Sequence, residues 1–276
     1  MDERYLELRR SERWGQTLET CTPNPVAAAR LIDRAGIATL FPASPEVANL
    51  LHAYTGTTTT KVTADWDSES GHVYGWRWTL GRQEVAFYTS LVRGRPTWIS
   101  WELLPAVLRL RGELRALDEL YDDGELSTAA YRIAQALETA GGVLSTGDLR
   151  KQAGFPTGKP QRAAYLRAIA ELENHLLLAK VFSQDEEDMY HALVNLRYPQ
   201  HVAAASRLER GEALEQFLLI YLRCAVYAVP HVLAKHLGLD GEELCGGLDH
   251  LVETGRVTPL RLPTQKMPCY LWKEQY

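Results

Sequence analysis

The stretch from residue 126 to residue 198 constrains this chain most, because its apolar spacing and its helix breakers dictate five elements in a fixed order. Leu126, Ile133 and Leu137 fall on one side of a first helix that Gly141-Gly142 ends. Ser145 or Thr146 then caps a short helix over 148–153, which Gly154 stops. Pro160 lies in the first turn of a third helix reaching about Asn174, where its missing N–H costs nothing. Tyr165, Leu166, Ile169 and Leu172 are expected to form the buried stripe of that helix. Two β-type runs, 176–182 and 189–196, are separated by the polar turn 183–188. Three helices and then a hairpin is the order of a winged helix, a unit that offers its third helix to the major groove of DNA.

The same grammar returns near the C-terminus. A long apolar helix is expected over 212–229. Pro230 opens a second helix over 231–237, ended by Gly238, and Asp240 caps a third over 242–253, closed by Gly255. β-like segments follow at 256–262 and 269–272. This reads as a second winged helix, and two such units roughly eighty residues apart make an internal repeat. Before them, Thr22-Pro23-Asn24-Pro25 introduces a helix over 26–35 that Gly36 terminates, and another helix is expected over 46–54. An aromatic block at 73–80 reads as β-like, as does 84–91, and residues 98–100 lead into a helix over 101–111. The expected class is α+β, mainly α: tandem winged-helix units with small β-hairpins behind an N-terminal α/β portion that leaves room for a degenerate winged helix. The divisions fall at 1–121, 122–200 and 201–276, with Tyr121-Asp122-Asp123-Gly124 as the first boundary.

Charge limits the partners. At −5 overall, the chain is not a basic protein that coats DNA indiscriminately. Locally the balance reverses. Between Ser145 and Ala170, five cations (Arg150, Lys151, Lys159, Arg162, Arg167) face only Asp148, a local +4. Between Ser70 and Arg115, seven arginines, among them Arg77, Arg93, Arg95 and Arg109, face three glutamates, again +4. Acids gather at 118–125 and 185–188. Lys159, Gln161, Arg162 and Arg167, with Arg150 and Lys151 nearby, are therefore the leading candidates for contact with double-stranded DNA, whether to base edges or to phosphates. The acidic turn 184–188 opposes phosphate contact and is expected to point away from DNA. Trp76 and Trp78, two apart on a β-like run, would share one face and form a base-stacking surface, unless they are core. No metal or other cofactor is expected. His231, His236 and His250 lack ligand spacing with Cys245, Asp249 and Glu253, and Gly246-Gly247 is not a phosphate loop. Four scattered cysteines and the lack of a long apolar run point to a cytoplasmic protein with reduced thiols.

The run Gly75-Trp76-Arg77-Trp78, with Tyr88, Gly94, Pro96 and Ser100 to Pro105, then the winged-helix pattern and the Gly36 to Pro42 element, resembles the AlkZ-related (YcaQ-like) proteins over nearly the full length. The resemblance implies a bacterial protein of tandem winged helices. In its better-known branch it implies a DNA glycosylase that excises alkylated or cross-linked bases with a Gln-hydrophobic-Gln (or Asp) motif after the first helix. Aligning on Gly36 puts Thr39, Leu40 and Phe41 at those three positions. Phe41 can neither orient a water nor stabilise a cationic sugar, and the Thr39 hydroxyl is no general base near neutral pH. Thr39 and Asp65 are the remaining catalytic candidates, Asp65 and Asp67 being carboxylates close to the aromatic block. Three readings stand: a DNA-binding protein without the glycosylase residues, a monofunctional glycosylase with an atypical site, and a protein-interaction scaffold.

Overall fold

The structure, a computed structural model, describes residues 2–155, 158–185 and 188–273. Helix α1 (Glu3–Arg13) comes first, capped by the Asp2 carboxylate. Helix α2 (Pro25–Ala35) is capped by Asn24, and strand β1 (Ile37–Thr39) follows. Next come β2 (Ala48–Asn49), α3 (Leu50–Thr55), α4 (Glu69–Arg82), β3 (Phe87–Ser90), a 3₁₀ turn at Val92–Gly94 and β4 (Pro96–Ile99). Helices α5 (Leu104–Arg111) and α6 (Leu117–Asp122) lead to α7 (Thr128–Thr139), β5 (Val143–Ser145), α8 (Thr146–Gln152), α9 (Lys159–Asn174), β6 (Leu178–Phe182) and β7 (Met189–Leu193). Short α10 (Val194–Arg197) and α11 (Pro199–Arg207) connect to α12 (Arg210–Ala225), β8 (Tyr227–Ala228), α13 (Pro230–Leu237), α14 (Gly241–Glu253), β9 (Val257–Leu260) and β10 (Cys269–Trp272).

One topology occurs three times. In each stretch a helix leads into a short strand, two more helices follow, and a hairpin closes. The last strand always lies between the other two: β1-β4-β3, β5-β7-β6 and β8-β10-β9. Strand β2 extends the first sheet by pairing parallel to β1. The stretches do not stand alike in the packing. One apolar core joins the first to the third, running from Leu31, Leu51, Trp98 and Leu104 to Phe217, Leu218 and Leu248. A separate core, built on Leu120, Ile133, Leu149 and Leu172, belongs to the middle stretch. Among the described residues, no helix is long and apolar enough to cross a membrane.

A buried ion pair ties the first stretch to the third. The Glu46 carboxylate is 1% exposed and accepts from Arg10 Nη1 (2.9 Å), Tyr221 Oη (2.7 Å) and the Val229 N–H (2.9 Å). Arg10 also donates to the carbonyls of Ala225 (2.8 Å) and Tyr227, and lies 3.5 Å from the Tyr227 ring centroid. Burial with that carboxylate pushes the Tyr221 hydroxyl well above the usual phenol range. A second buried polar group joins the first and middle sheets: Lys180 pairs with Glu173, donates to Ser90 Oγ (2.7 Å) and faces His191.

Several sequence expectations need correction. The block over 73–80 is the body of helix α4, not a strand. Ser68 caps it, and Val73, Trp76 and Leu80 are buried at helical spacing. Two residues apart on a helix, Trp76 and Trp78 do not share a face. The helix expected over 46–54 begins only at Leu50, because Glu46 is drawn into the ion pair and Ala48–Asn49 pairs with β1. The helix expected over 212–229 ends at Ala225: Val226 takes φ +68° and Tyr227–Ala228 pairs with β10. Leu166 is 52% exposed; Ala168 takes its place in the α9 stripe beside Tyr165, Ile169 and Leu172. Charged α1 escaped the sequence reading altogether.

Removing one partner of the ion pair leaves an uncompensated charge in the core. Arg10→Met is expected to cost about 3–5 kcal/mol in urea unfolding, and Arg10→Met with Glu46→Leu to recover part of that loss. His191, pushed down to about 4 by burial and then by Lys180, is neutral in the fold and takes up a proton on unfolding in acid. Its contribution is therefore whole above about pH 6.5 and declines as pH falls toward 4, by up to about 3 kcal/mol. Unfolding curves at pH 7 and pH 4.5 should show this loss, and His191→Gln should lack that part of it.

Candidate functional site

Between α3 and α4 the chain runs through a polar loop, with residues 61–67 exposed throughout. Local hydrogen bonds hold it in place. The Thr63 N–H donates to Ser70 Oγ (3.1 Å), the Thr63 hydroxyl to Ser68 Oγ (2.7 Å), and the Asp67 N–H to Asp65 Oδ1 (3.0 Å). Gly71 lets the loop lie flat on the helix, since a Cβ there would stand 2.2 Å from the Trp66 carbonyl oxygen. Under the loop is a cavity of about 250 Å³ lined by Phe41, Thr63, Asp65, Trp66, Ser70 and Tyr74, among others.

Three aromatic rings shape that cavity. Phe41 and Tyr74 are nearly parallel, 5° apart in plane with centroids at 6.5 Å. Trp66 meets Tyr74 edge-on at 5.3 Å and remains 70% exposed. Behind Tyr74 the row continues. The Arg77 guanidinium lies 3.4 Å from the Tyr74 ring and 4.8 Å from that of Trp78, and Trp78 meets Phe182 of β6 edge-on at 5.3 Å. Such contacts pre-set side chains that would otherwise lose rotamer freedom on meeting a ligand.

The residues singled out from sequence fall in different places. Asp65 and Phe41 line the cavity. Thr39 is fully buried in β1 with its hydroxyl directed at the Ala48 carbonyl (3.4 Å), so it does not line the cavity. Trp76 is 4% exposed and packs edge-on to Tyr54, which makes it core and removes it as a stacking surface. Trp78 is half-buried beside Arg77. Arg93 is exposed and donates to the Ala43 carbonyl (3.2 Å), on the side of the first sheet that meets α13. Arg95 is exposed, and Arg109 is half-buried on α5 with its Nε unpartnered.

On α9 the arrangement is simpler. Lys159, Gln161 and Arg162 are exposed in the first turn of the helix, Arg167 is exposed on the side away from the buried stripe, and Lys151 is exposed on α8, where Arg150 is half-buried. The turn after β6 packs its near end on α4: Gln184 Nε2 donates to the Arg82 carbonyl (2.9 Å) and Arg82 Nε to that of Ser183 (2.9 Å). Glu186 and Glu187, on which much of the turn's acidity rests, lie outside the described residues.

Sequence reasoning missed Trp66 and Tyr74. The available signal was an aromatic residue stranded in a hydrophilic loop, which has no apolar face to join. A larger cavity of about 520 Å³ lies beside α1, bounded by Arg10, Gln16, Asn49, His52 and Tyr227 among others. Much of its polar lining is already engaged: Arg10 with Glu46, and His52 with Asn49 (3.2 Å) and the Thr60 carbonyl (3.2 Å). His236 and Asp249 are likewise bound apart from one another, to Ser44 and Tyr270.

Gly71→Ala should lift the loop off α4 and open the aromatic cavity. The expected readout is faster proteolytic cleavage between residues 57 and 68, with far-UV dichroism unchanged. Equal cleavage rates would show that the loop tolerates the added methyl.

Comparison with known proteins places this architecture. A family model described as AlkZ related matches residues 23–218. No curated protein sequence matches the chain. Among solved structures, the Streptomyces sahachiroi DNA glycosylase AlkZ superposes with a TM-score of 0.58 at 12% identity, over 99% of this chain and 70% of that one. At that identity the likeness is one of fold.

Proposed function

This chain belongs to the AlkZ-related family, and from that premise we propose that it is a double-stranded DNA-binding protein whose three repeated stretches are winged helices. The observation that carries the reading is the exposed, cationic first turn of α9. This is the third helix of the middle stretch, its stripe is buried from Tyr165 onward, and Lys159, Gln161 and Arg162 stand exposed in its first turn with Arg167 exposed on its outer side. A helix so placed fits a major groove, with arginines reaching phosphates or guanine edges. Arg150 and Lys151 of α8 lie where the preceding helix of such a unit crosses the backbone. Arg77, Arg93, Arg95 and Arg109 belong to the proposal as additional phosphate contacts. A bacterial, cytoplasmic setting is part of the same reading.

Chemistry on the DNA is not required by this reading. On the alignment at Gly36, Thr39 and Phe41 would take the places that the family's glycosylases give to an amide or carboxylate pair, with Leu40 at the hydrophobic position between them, and Thr39 is sealed in the sheet. One observation favours a second reading, excision of a damaged base through an atypical site. Phe41, at the second motif position, lines the same cavity as Asp65, a carboxylate of the kind that supports an oxocarbenium-like transition state.

The binding reading is tested with random-sequence duplex by fluorescence anisotropy at several salt concentrations. Arg162→Glu with Arg167→Glu should weaken binding by roughly tenfold or more and flatten the salt slope by about 2. Unchanged affinity would remove α9 as the contact surface. Release of free base from alkylated duplex, abolished by Asp65→Asn, would promote the second reading.

A further inference from the structure

We propose that the cavity beneath the α3–α4 loop receives a single unpaired guanine, stacked against Trp66 with its amino edge on the Asp65 carboxylate. The inference rests on the DNA-binding reading above and adds to it a site and a base preference. Trp76 and Trp78 do not provide this surface: the first is core and the second is covered by Arg77 and Phe182.

The ring arrangement fits a flat ligand. Trp66 is 70% exposed yet oriented by its edge contact with Tyr74, and its backbone is held against Gly71, so it offers a fixed apolar plane to solvent. Phe41 and Tyr74 line the same cavity, whose volume of about 250 Å³ suits a single base rather than a larger ligand. A base can leave its partner to enter such a pocket, most cheaply where it is already unpaired.

The polar lining selects which base. The Thr63 hydroxyl proton is spent on Ser68, leaving that oxygen to accept only, and the Asp65 carboxylate beside it offers acceptors as well. Asp65 Oδ1 takes the Asp67 N–H, and a carboxylate retains further lone pairs for ligand N–H groups. Guanine alone among the four DNA bases carries a ring N–H beside an amino group on its Watson–Crick edge, the pair of donors that one carboxylate matches. The local charge agrees with a base rather than a phosphate as the group that enters. Asp65, Asp67 and Glu69 outnumber Lys61 around the loop, and these acids hold the sugar-phosphate chain outside. Arg77, behind Tyr74, lies away from the cavity lining.

The test uses the full chain and a set of duplexes identical except for one bulged nucleotide, guanine, inosine, adenine, cytosine or thymine, beside a fully paired control. Anisotropy should give binding to the guanine bulge roughly tenfold tighter than to the paired control, with inosine, which lacks the amino group, losing most of the gain. Trp66→Ala should erase the preference for a bulge and leave affinity for the paired control unchanged, a separation open to it because its side chain is largely in solvent. Asp65→Asn should erase the preference for guanine over inosine. Equal affinity for bulged and paired duplexes, or a preference indifferent to Trp66, overturns the inference while DNA binding by α9 stands. Failure to bind any duplex overturns both.

Discussion

A single carboxylate, Glu46, holds the molecule's distant parts together. It sits in the core with three donors from three places: the guanidinium of α1, the phenol of α12 and the backbone N–H of Val229. An isolated charge so deeply buried would be costly, and this one is tolerated because every donor is supplied at once. The same arginine donates to the carbonyls of Ala225 and Tyr227 where α12 ends, on either side of Val226 with its positive φ. The turn from α12 into β8, and hence the third sheet, is therefore fixed by a residue near the other end of the chain. Polar groups satisfied this completely specify one arrangement, where apolar packing alone would accept neighbouring ones.

The candidate site is a by-product of the same architecture. In the first stretch, the connection between second and third helices is long enough to fold back over α4, and Gly71 removes the side chain that would keep it away. The aromatic positions of α4 then divide by angle. Trp76 turns inward to the core, while Tyr74 and Trp78, one turn apart on the same side, hold Arg77 between them. In the middle stretch the first turn and the outer side of α9 are left to water, and its cations follow from that exposure. The first stretch thus carries an aromatic hollow, and the middle one a basic ridge.

How much of this was legible depended on whether the deciding forces were local. The middle stretch was readable because its caps and breakers, Ser145, Gly154 and Pro160, act within a few residues and its stripes keep one period. Residues 73–80 misled because tryptophan and tyrosine favour strands, whereas the spacing of Val73, Trp76 and Leu80 already carried the helical period. Helix α1 buries little besides Leu6 and Arg10, and Arg10 finds its partners 36, 215 and 217 positions away, beyond the reach of any local window. The basic face of α9 could be seen as charge in sequence. The hollow could not, because Trp66 and Phe41 meet through Tyr74, which comes from a third segment.

The shared core of the first and third stretches bears on how the chain is made. Glu46 waits for Tyr221 and Val229, which lie 175 and 183 positions further on. During translation the first sheet emerges early with its charged and apolar surfaces open, whereas the middle stretch, with a core of its own, is able to close as soon as it leaves the ribosome. Vectorial synthesis thus supplies every part of the central core before the N-terminal one is complete, and leaves the apolar face that the first stretch shares with the third without its cover until α12 and its successors are made.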